Sequence, residues 1–270
     1  MKRIWLSFQQ IKRAVAIASV LSVCIINPIN AQPLPNRGAD NVSSLRQIHF
    51  NSPDLTGRGR PGDRKSAASR GQCHLGNSSE SLYALIPDTN LGLTVDGHPT
   101  FWFYFPDQVS KFHSMKFALW SEKGQKIYET TYQAATIQPG VVSIPVPETA
   151  PVLEQNQNYN WILTAYCEDP QQASDPTDPQ KVRVRGSIQR ITPTPELEQE
   201  LKAAVTPREQ AYLYAQKGVW FNALTILGNL RRTETGNGTL DTDWTNLLSD
   251  IGLNEISQKP IVECCRASSN

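Results

Sequence analysis

The chain is short of the residues that most enzyme chemistry uses. It holds four histidines, His49, His74, His98 and His113, and no two fall at a spacing that pairs imidazoles on a metal. It contains no CxxC, H-E-x-x-H, G-x-S-x-G, P-loop or G-x-G-x-x-G. The common zinc, serine-hydrolase, phosphate-cradling and dinucleotide signatures are therefore absent. Net charge is close to zero, at +1, so no single-sign field covers the molecule. Long apolar runs are also missing. The longest, Ala14 to Ile26, falls short of the roughly 18 residues that mark a membrane span.

That apolar run follows Met1-Lys2-Arg3 and Lys12-Arg13 and precedes Ile29-Asn30-Ala31. A positive start, an apolar middle and a small residue at the end form a signal peptide over 1–31, cleaved after Ala31. A lipidated Cys24 is the weaker alternative, because Val23 stands where a small residue is needed. Export to a periplasmic or extracellular location is the expectation, with no integral membrane segment after cleavage. Cleavage leaves Cys73, Cys167, Cys264 and Cys265. An even count in an oxidising compartment favours disulfides. Cys264 and Cys265 are adjacent, which strains a mutual bond, and Cys73 with Cys167 is the favoured pair.

Residues 32–72 carry Arg37, Arg46, Arg58, Arg60, Arg64, Lys65 and Arg70 against three aspartates, with scattered proline and glycine. This composition predicts a disordered basic leader. Without interleaved aromatics the leader is not a nucleic-acid binder.

Beyond it lie the strands. His98-Pro99-Thr100-Phe101-Trp102-Phe103-Tyr104-Phe105-Pro106 is too short for a helix and is bounded by prolines, so it reads as a strand covered on both faces. Further strand patterns cover Leu82–Ile86, Leu91–Thr94, Lys116–Trp120, Lys126–Tyr132, Val141–Val146, Asn158–Tyr166 and Val182–Arg190. Short strands with turn signals every 8 to 12 residues predict an immunoglobulin- or fibronectin-like antiparallel β-sandwich over 73–191. Trp102, Trp120 and Trp161 are expected on its inner faces, and the piece L-E-Q-N-Q-N-Y-N-W resembles the turn into a late strand of such domains, where an aromatic pins the corner.

After Ile191 the pattern turns helical. Thr194-Pro195 and Thr206-Pro207 are cap-plus-proline starts, and Thr206 with Glu209 makes a capping box. Gly218-Val219-Trp220-Phe221-Asn222-Ala223-Leu224 looks like the middle of one tetratricopeptide repeat. Trp244 to Leu253 supplies a further helix, capped by Asp241 or Thr242. The region 192–256 is thus a short tetratricopeptide-like helical tail packed on the sandwich, followed by a C-terminal tail over 257–270. A fold class of mainly β with an α appendix results.

No catalytic residue, cofactor or metal ligand is assigned. Glu168, Asp169, Asp175 and Asp178 gather in one loop but lack the spacing of a calcium loop. The candidate interaction surface joins Tyr214 and Trp220 of the helical tail to Arg58 and Arg60 of the leader.

The blocks G-R-G-R-P-G-D-R-K-S-A-A-S-R-G-Q-C, L-Y-A-L-I-P, H-P-T-F-W-F-Y-F-P, S-I-P-V-P-E-T-A-P-V-L-E, Y-N-W, G-S-I-Q-R and T-P-R-E-Q-A-Y-L-Y-A-Q-K-G-V-W-F-N-A-L resemble a cyanobacterial secreted family. It is catalogued as domain of unknown function 928. The resemblance runs from Gly57 to Cys265 and implies an extracytoplasmic protein with a sandwich and a helical tail. It assigns no activity. The functional expectation is an exported binding or adaptor module for a protein or glycan of the cell envelope. A hydrolase using carboxylates of the 168–178 loop and a structural envelope component are the alternatives.

Overall fold

Among the described residues, eight strands precede five helices along the chain. The strands are β1 Tyr83–Ala84, β2 Leu91–Thr94, β3 Thr100–Phe105, β4 Ser114–Ser121, β5 Lys126–Gln133, β6 Gly140–Pro145, β7 Gln157–Tyr166 and β8 Lys181–Arg190. The helices are α1 Pro195–Ala203, α2 Pro207–Gln216, α3 Trp220–Thr233, α4 Gly238–Ser249 and α5 Asn254–Ser257. This computed structural model describes residues 46–55, 58, 62–66, 81–107, 109, 112–134, 137–175 and 179–264.

The strands form two sheets. A five-stranded sheet has the order β2-β8-β7-β4-β5, with β2 parallel to β8 and the other pairs antiparallel. A three-stranded antiparallel sheet has the order β1-β3-β6. Side-chain alternation decides what lies between them. Met115, Phe117 and Leu119 of β4 are fully buried, and their inward neighbours on β7 include Trp161 and Leu163. From β3, Phe101 and Phe103 meet Phe117 and Trp161 with ring centroids 4.9 to 6.1 Å apart. Tilted and edge-on contacts of this kind add to the area that aromatics bury.

Every residue from Phe101 to Phe105 is at most 2% exposed, as a strand covered on both faces requires. The second cover is helical. Trp102 points away from the sandwich interior, packs on Trp244 of α4 at 6.0 Å and donates its indole N–H to Thr225 Oγ1 of α3. Gly228 of α3 makes room for it. A Cβ there would lie 2.4 Å from the Trp102 ring. The molecule thus has three layers: five-stranded sheet, three-stranded sheet, and helices.

Several expectations need correction. Trp120 is not in the inner face. Met115, Phe117 and Leu119 take the inward parity, which sends Trp120 outward, where it is only half-buried. The helices are more than an appendix, because Trp220, Phe221, Leu224 and Trp244 join the strand residues in one buried cluster. α1 and α2 begin at Pro195 and Pro207 as their sequences predict, the latter with the full Thr206–Glu209 capping box. α4 instead begins at Gly238, because the Asn237 side chain accepts from the N–H groups of Thr239 and Leu240 and outcompetes the later Asp241 and Thr242.

The leader is also not uniformly disordered. Residues 46–55 are packed, with Ile48 fully buried and Phe50 edge-on to Trp220 at 4.8 Å. Burying two such side chains is worth about 1.5–3 kcal/mol each, which the basic composition of the segment concealed. Asp63 and Lys65 form bridges with Arg185 and Tyr83.

Candidate functional site

The packed arm, residues 46–53, runs along α2 and α4, and the helices meet its main-chain groups one after another. Asp243, 1% exposed, accepts from Ile48 N at 2.9 Å and from Arg208 Nε at 2.7 Å. Arg208 Nη2 donates to the Arg46 carbonyl at 2.7 Å. Asp250 accepts from Phe50 N at 2.7 Å and lies 3.1 Å from His49 Nδ1. Asn51 N donates to the Ala215 carbonyl at 3.1 Å, and Gln216 Nε2 donates to the His49 carbonyl at 3.1 Å. Gly218 closes α2 at φ +72, and a Cβ there would stand 2.8 Å from Pro53 Cδ. One glycine therefore serves both the turn and the approach of the arm. Main-chain bonds plus two buried side chains are how a helical surface holds an extended polypeptide.

Where the arm begins, a pocket of about 380 Å³ opens between α1, the α1–α2 turn and α2, lined by Arg46, Ala203, Ala204, Val205, Tyr212 and Leu213 among others. Its charged rim is engaged internally. The Arg46 guanidinium stacks 5.8 Å from the Tyr212 ring, and Arg208 is held by Asp243. Glu209 accepts from Val205 N and Thr206 N, and Glu200 pairs with Lys217 at 3.2 Å. What remains for a ligand is apolar surface, ending in Val205 at 88% exposure. The volume lies within the range of small-ligand clefts, roughly 300–1,000 Å³.

A second polar cluster pins sandwich to helices. Asn222 Oδ1 accepts from Thr94 Oγ1 at 3.1 Å and from Val95 N at 3.0 Å, while Asp96 N donates to Thr94 Oγ1 at 3.0 Å. Arg190 donates to the carbonyls of Val95 and Leu153. Loss of solvation raises the Asp96 carboxyl above its ordinary value, although Asn222 and Arg190 pull it back in part. Tyr214 is raised as well, first by burial and then by the Asp96 charge. Because Asn222 satisfies both a strand end and a hydroxyl, this cluster is a clasp, with its polar capacity used internally.

The four residues of the expected interaction surface do not come together as one patch. Trp220 is fully buried, its Nε1 donating to the Leu85 carbonyl at 2.9 Å. It is core because it fills the space between α3, the arm and the strand layer. Tyr214 is half-buried beside Asp96, and Arg58 is exposed with its N–H on the Leu55 carbonyl. Arg60, Ala31, Cys73, Cys265 and Asp178 lie outside the described residues, so the Cys73–Cys167 pairing stays an expectation. Cys167, directly after β7, is half-buried. In the acidic loop, Asp169 caps its own turn by accepting from Gln171 N and Gln172 Nε2, and Glu168 accepts from Gln180 N. Among the described residues no three His, Cys, Asp or Glu side chains are placed to share a metal ion. His98 is bound to the Ala150 carbonyl at 2.9 Å. Sequence reasoning missed Arg208, Asp243 and Tyr212, whose roles depend on partners far away in the chain.

These features define a class: a mainly β protein with two sheets and a C-terminal helical layer, whose helices hold an extended stretch of its own chain. The family model for the Domain of Unknown Function (DUF928) matches residues 65–261, and the chain belongs to that family. No curated protein matches it. Among the described residues no helix is long and apolar enough to cross a membrane.

Proposed function

We propose that the protein is an exported binding module that recognises a polypeptide of the cell envelope through the helical layer. The observation that carries this reading is the arm: the α2–α4 surface already holds a polypeptide segment by its main chain, and the apolar pocket at Arg46 and Tyr212 continues that track. A partner would place an apolar side chain among Ala203, Ala204, Val205 and Leu213. Export rests on the N-terminal 31 residues, and a Cys73–Cys167 bond belongs to the same reading.

An immunoglobulin-like sandwich and a tetratricopeptide-like helix pair are part of the proposal. Two features support the first. The strand order of both sheets fits that sandwich, and Tyr159, early in β7, accepts from Glu154 N at 2.7 Å, like the corner tyrosine of such domains. The α2–Gly218–α3 hairpin, with Ala223 buried at its close approach, supports the second. A photocrosslinking residue at Val205 tests the function in envelope preparations. The expected result is a crosslinked polypeptide that is absent with the probe at Lys123 and lost in Tyr212→Ala. Equal crosslinking from both probe positions, or none, would overturn it.

A further inference from the structure

Sheet edges expose unpaired main-chain groups, and among the described strands three of the four edges are shielded. The β1 edge meets the stretch 64–66, with Ala84 N on the Arg64 carbonyl and Ser66 N on the Leu82 carbonyl. The β6 edge meets the tail, where Val141 N donates to the Pro260 carbonyl and Val262 N to the Val141 carbonyl. β2 has only four residues and lies against α3. The fourth edge is β5, eight residues of Lys-Ile-Tyr-Glu-Thr-Thr-Tyr-Gln with neither proline nor glycine, and no described strand pairs with its outer side. Long edges of this kind are templates for another strand. The lysines that often guard an edge are neutralised here, since Lys116 and Lys126 both pair with Glu129.

The ladder fixes which groups are on offer. Ala134 N donates to the His113 carbonyl, which makes the neighbouring Ser114–Gln133 pair a non-hydrogen-bonded one. Counting back along the register, Tyr132, Thr130 and Tyr128 turn their N–H and C=O groups toward β4, and Thr131 and Glu129 turn theirs outward. A second β5 running antiparallel must match outward groups with outward groups, so the two-fold axis passes through a residue. An axis at Glu129 would oppose two carboxylates. An axis at Thr130 sets Glu129 against Thr131 of the second copy and Tyr128 against Tyr132, an aromatic pair on the inner face.

We propose that two copies of this chain associate through β5, antiparallel about a two-fold axis at Thr130, joining their five-stranded sheets into one sheet. The interface is small, so the dimer depends on concentration. Sedimentation velocity over a concentration series, with Thr131 variants, tests it. The wild type should move from one chain toward two. Thr131→Glu places a carboxylate opposite Glu129 twice by symmetry and should weaken association about tenfold, while Thr131→Lys should hold or strengthen it. Thr131→Pro removes only an outward N–H and should stay single. In the dimer, the Glu129 and Thr131 amides should exchange more slowly and the Thr130 amide should be unchanged. If Thr131→Pro does not fold, the Glu and Lys variants decide, since both leave the main-chain bonds to β4 in place and their cross-strand neighbour there, Lys116, already pairs with Glu129. A wild type that stays single at every concentration overturns the proposal. So does a dimer that Glu and Lys at position 131 affect alike.

Discussion

In the five-stranded sheet, β8 alternates buried Val182 and Val184 with exposed Arg183 and Arg185. In the three-stranded sheet, β3 buries every residue from Phe101 to Phe105. Each strand is paired on both sides within its own sheet, and the two differ in what covers the second face. The outside of the first sheet is open at Arg183 and Arg185, and α3 and α4 cover the outside of the second. A strand's polarity pattern therefore reports its number of covered faces. The identity of the cover comes from elsewhere in the chain.

Removing a tryptophan from each position would break the comparison most sharply. Trp161→Ala, between the sheets, and Trp102→Ala, between sheet and helices, should each cost about 3–5 kcal/mol of unfolding free energy in urea. Trp120→Ala, on the solvated face, should cost less than about 1 kcal/mol, as ordinary surface positions do. Similar losses at all three would mean that the outer face of the five-stranded sheet is covered after all.

The next effect concerns the arm. Asp243→Ala leaves Arg208 and Ile48 N without their buried partner, and breaking such a pair costs about 3–5 kcal/mol when both members are fully enclosed. Arg208 keeps some solvent contact, so the lower end of that range is expected. Limited proteolysis should then cut between residues 46 and 55 before the sheets open. Cleavage that begins in β4 or β7 instead would show that the arm is not the weaker layer.

The smallest effects are in pH dependence, and they have opposite signs. Asp96 is raised in the folded state by desolvation, so the native form holds its proton longer. Its contribution weakens as pH rises from the ordinary aspartate value through the raised one. Glu129 is desolvated, which alone would raise it, but the bonds and charges of Lys116 and Lys126 prevail and lower it. Its contribution is present above the ordinary glutamate value and is lost as pH falls through the lowered one. Urea titrations across the acidic range should show Asp96→Asn relieving a loss that grows with pH. Glu129→Gln should remove a gain that grows with pH. Equal slopes for the two variants would contradict the assignment of one to the Asn222–Arg190 clasp and the other to the lysine pair on the sheet face.

Much of this architecture was legible from local chemistry. Pro99 and Pro106 bracket β3, and the turn at Glu122-Lys123-Gly124 separates β4 from β5, with Gly124 at φ +81. The α1 and α2 starts lie in Thr-Pro pairs whose capping bonds form within three residues. These features depend on backbone sterics and near-neighbour hydrogen bonds, so the order of residues along the chain contains them. The candidate site was not legible in the same way. Arg208 and Asp243 are 35 positions apart, and Ile48 reaches Asp243 across 195. Trp220 looked like a surface anchor because an aromatic after a glycine turn reads the same whether water or a strand lies beyond it.

The sequence by itself determined the strands, the starts of α1 and α2, the two-sided burial of β3 and the exit from sheet to helix after Ile191, all set by period, caps and prolines. Tertiary structure alone decided that the helices form a third layer and that Trp120 faces water. It also decided that residues 46–53 of a basic leader lie on α2 and α4. The physical reason is that burial and charge pairing are properties of neighbours in space. An isoleucine such as Ile48 in a polar segment contributes only where a groove is shaped to receive it.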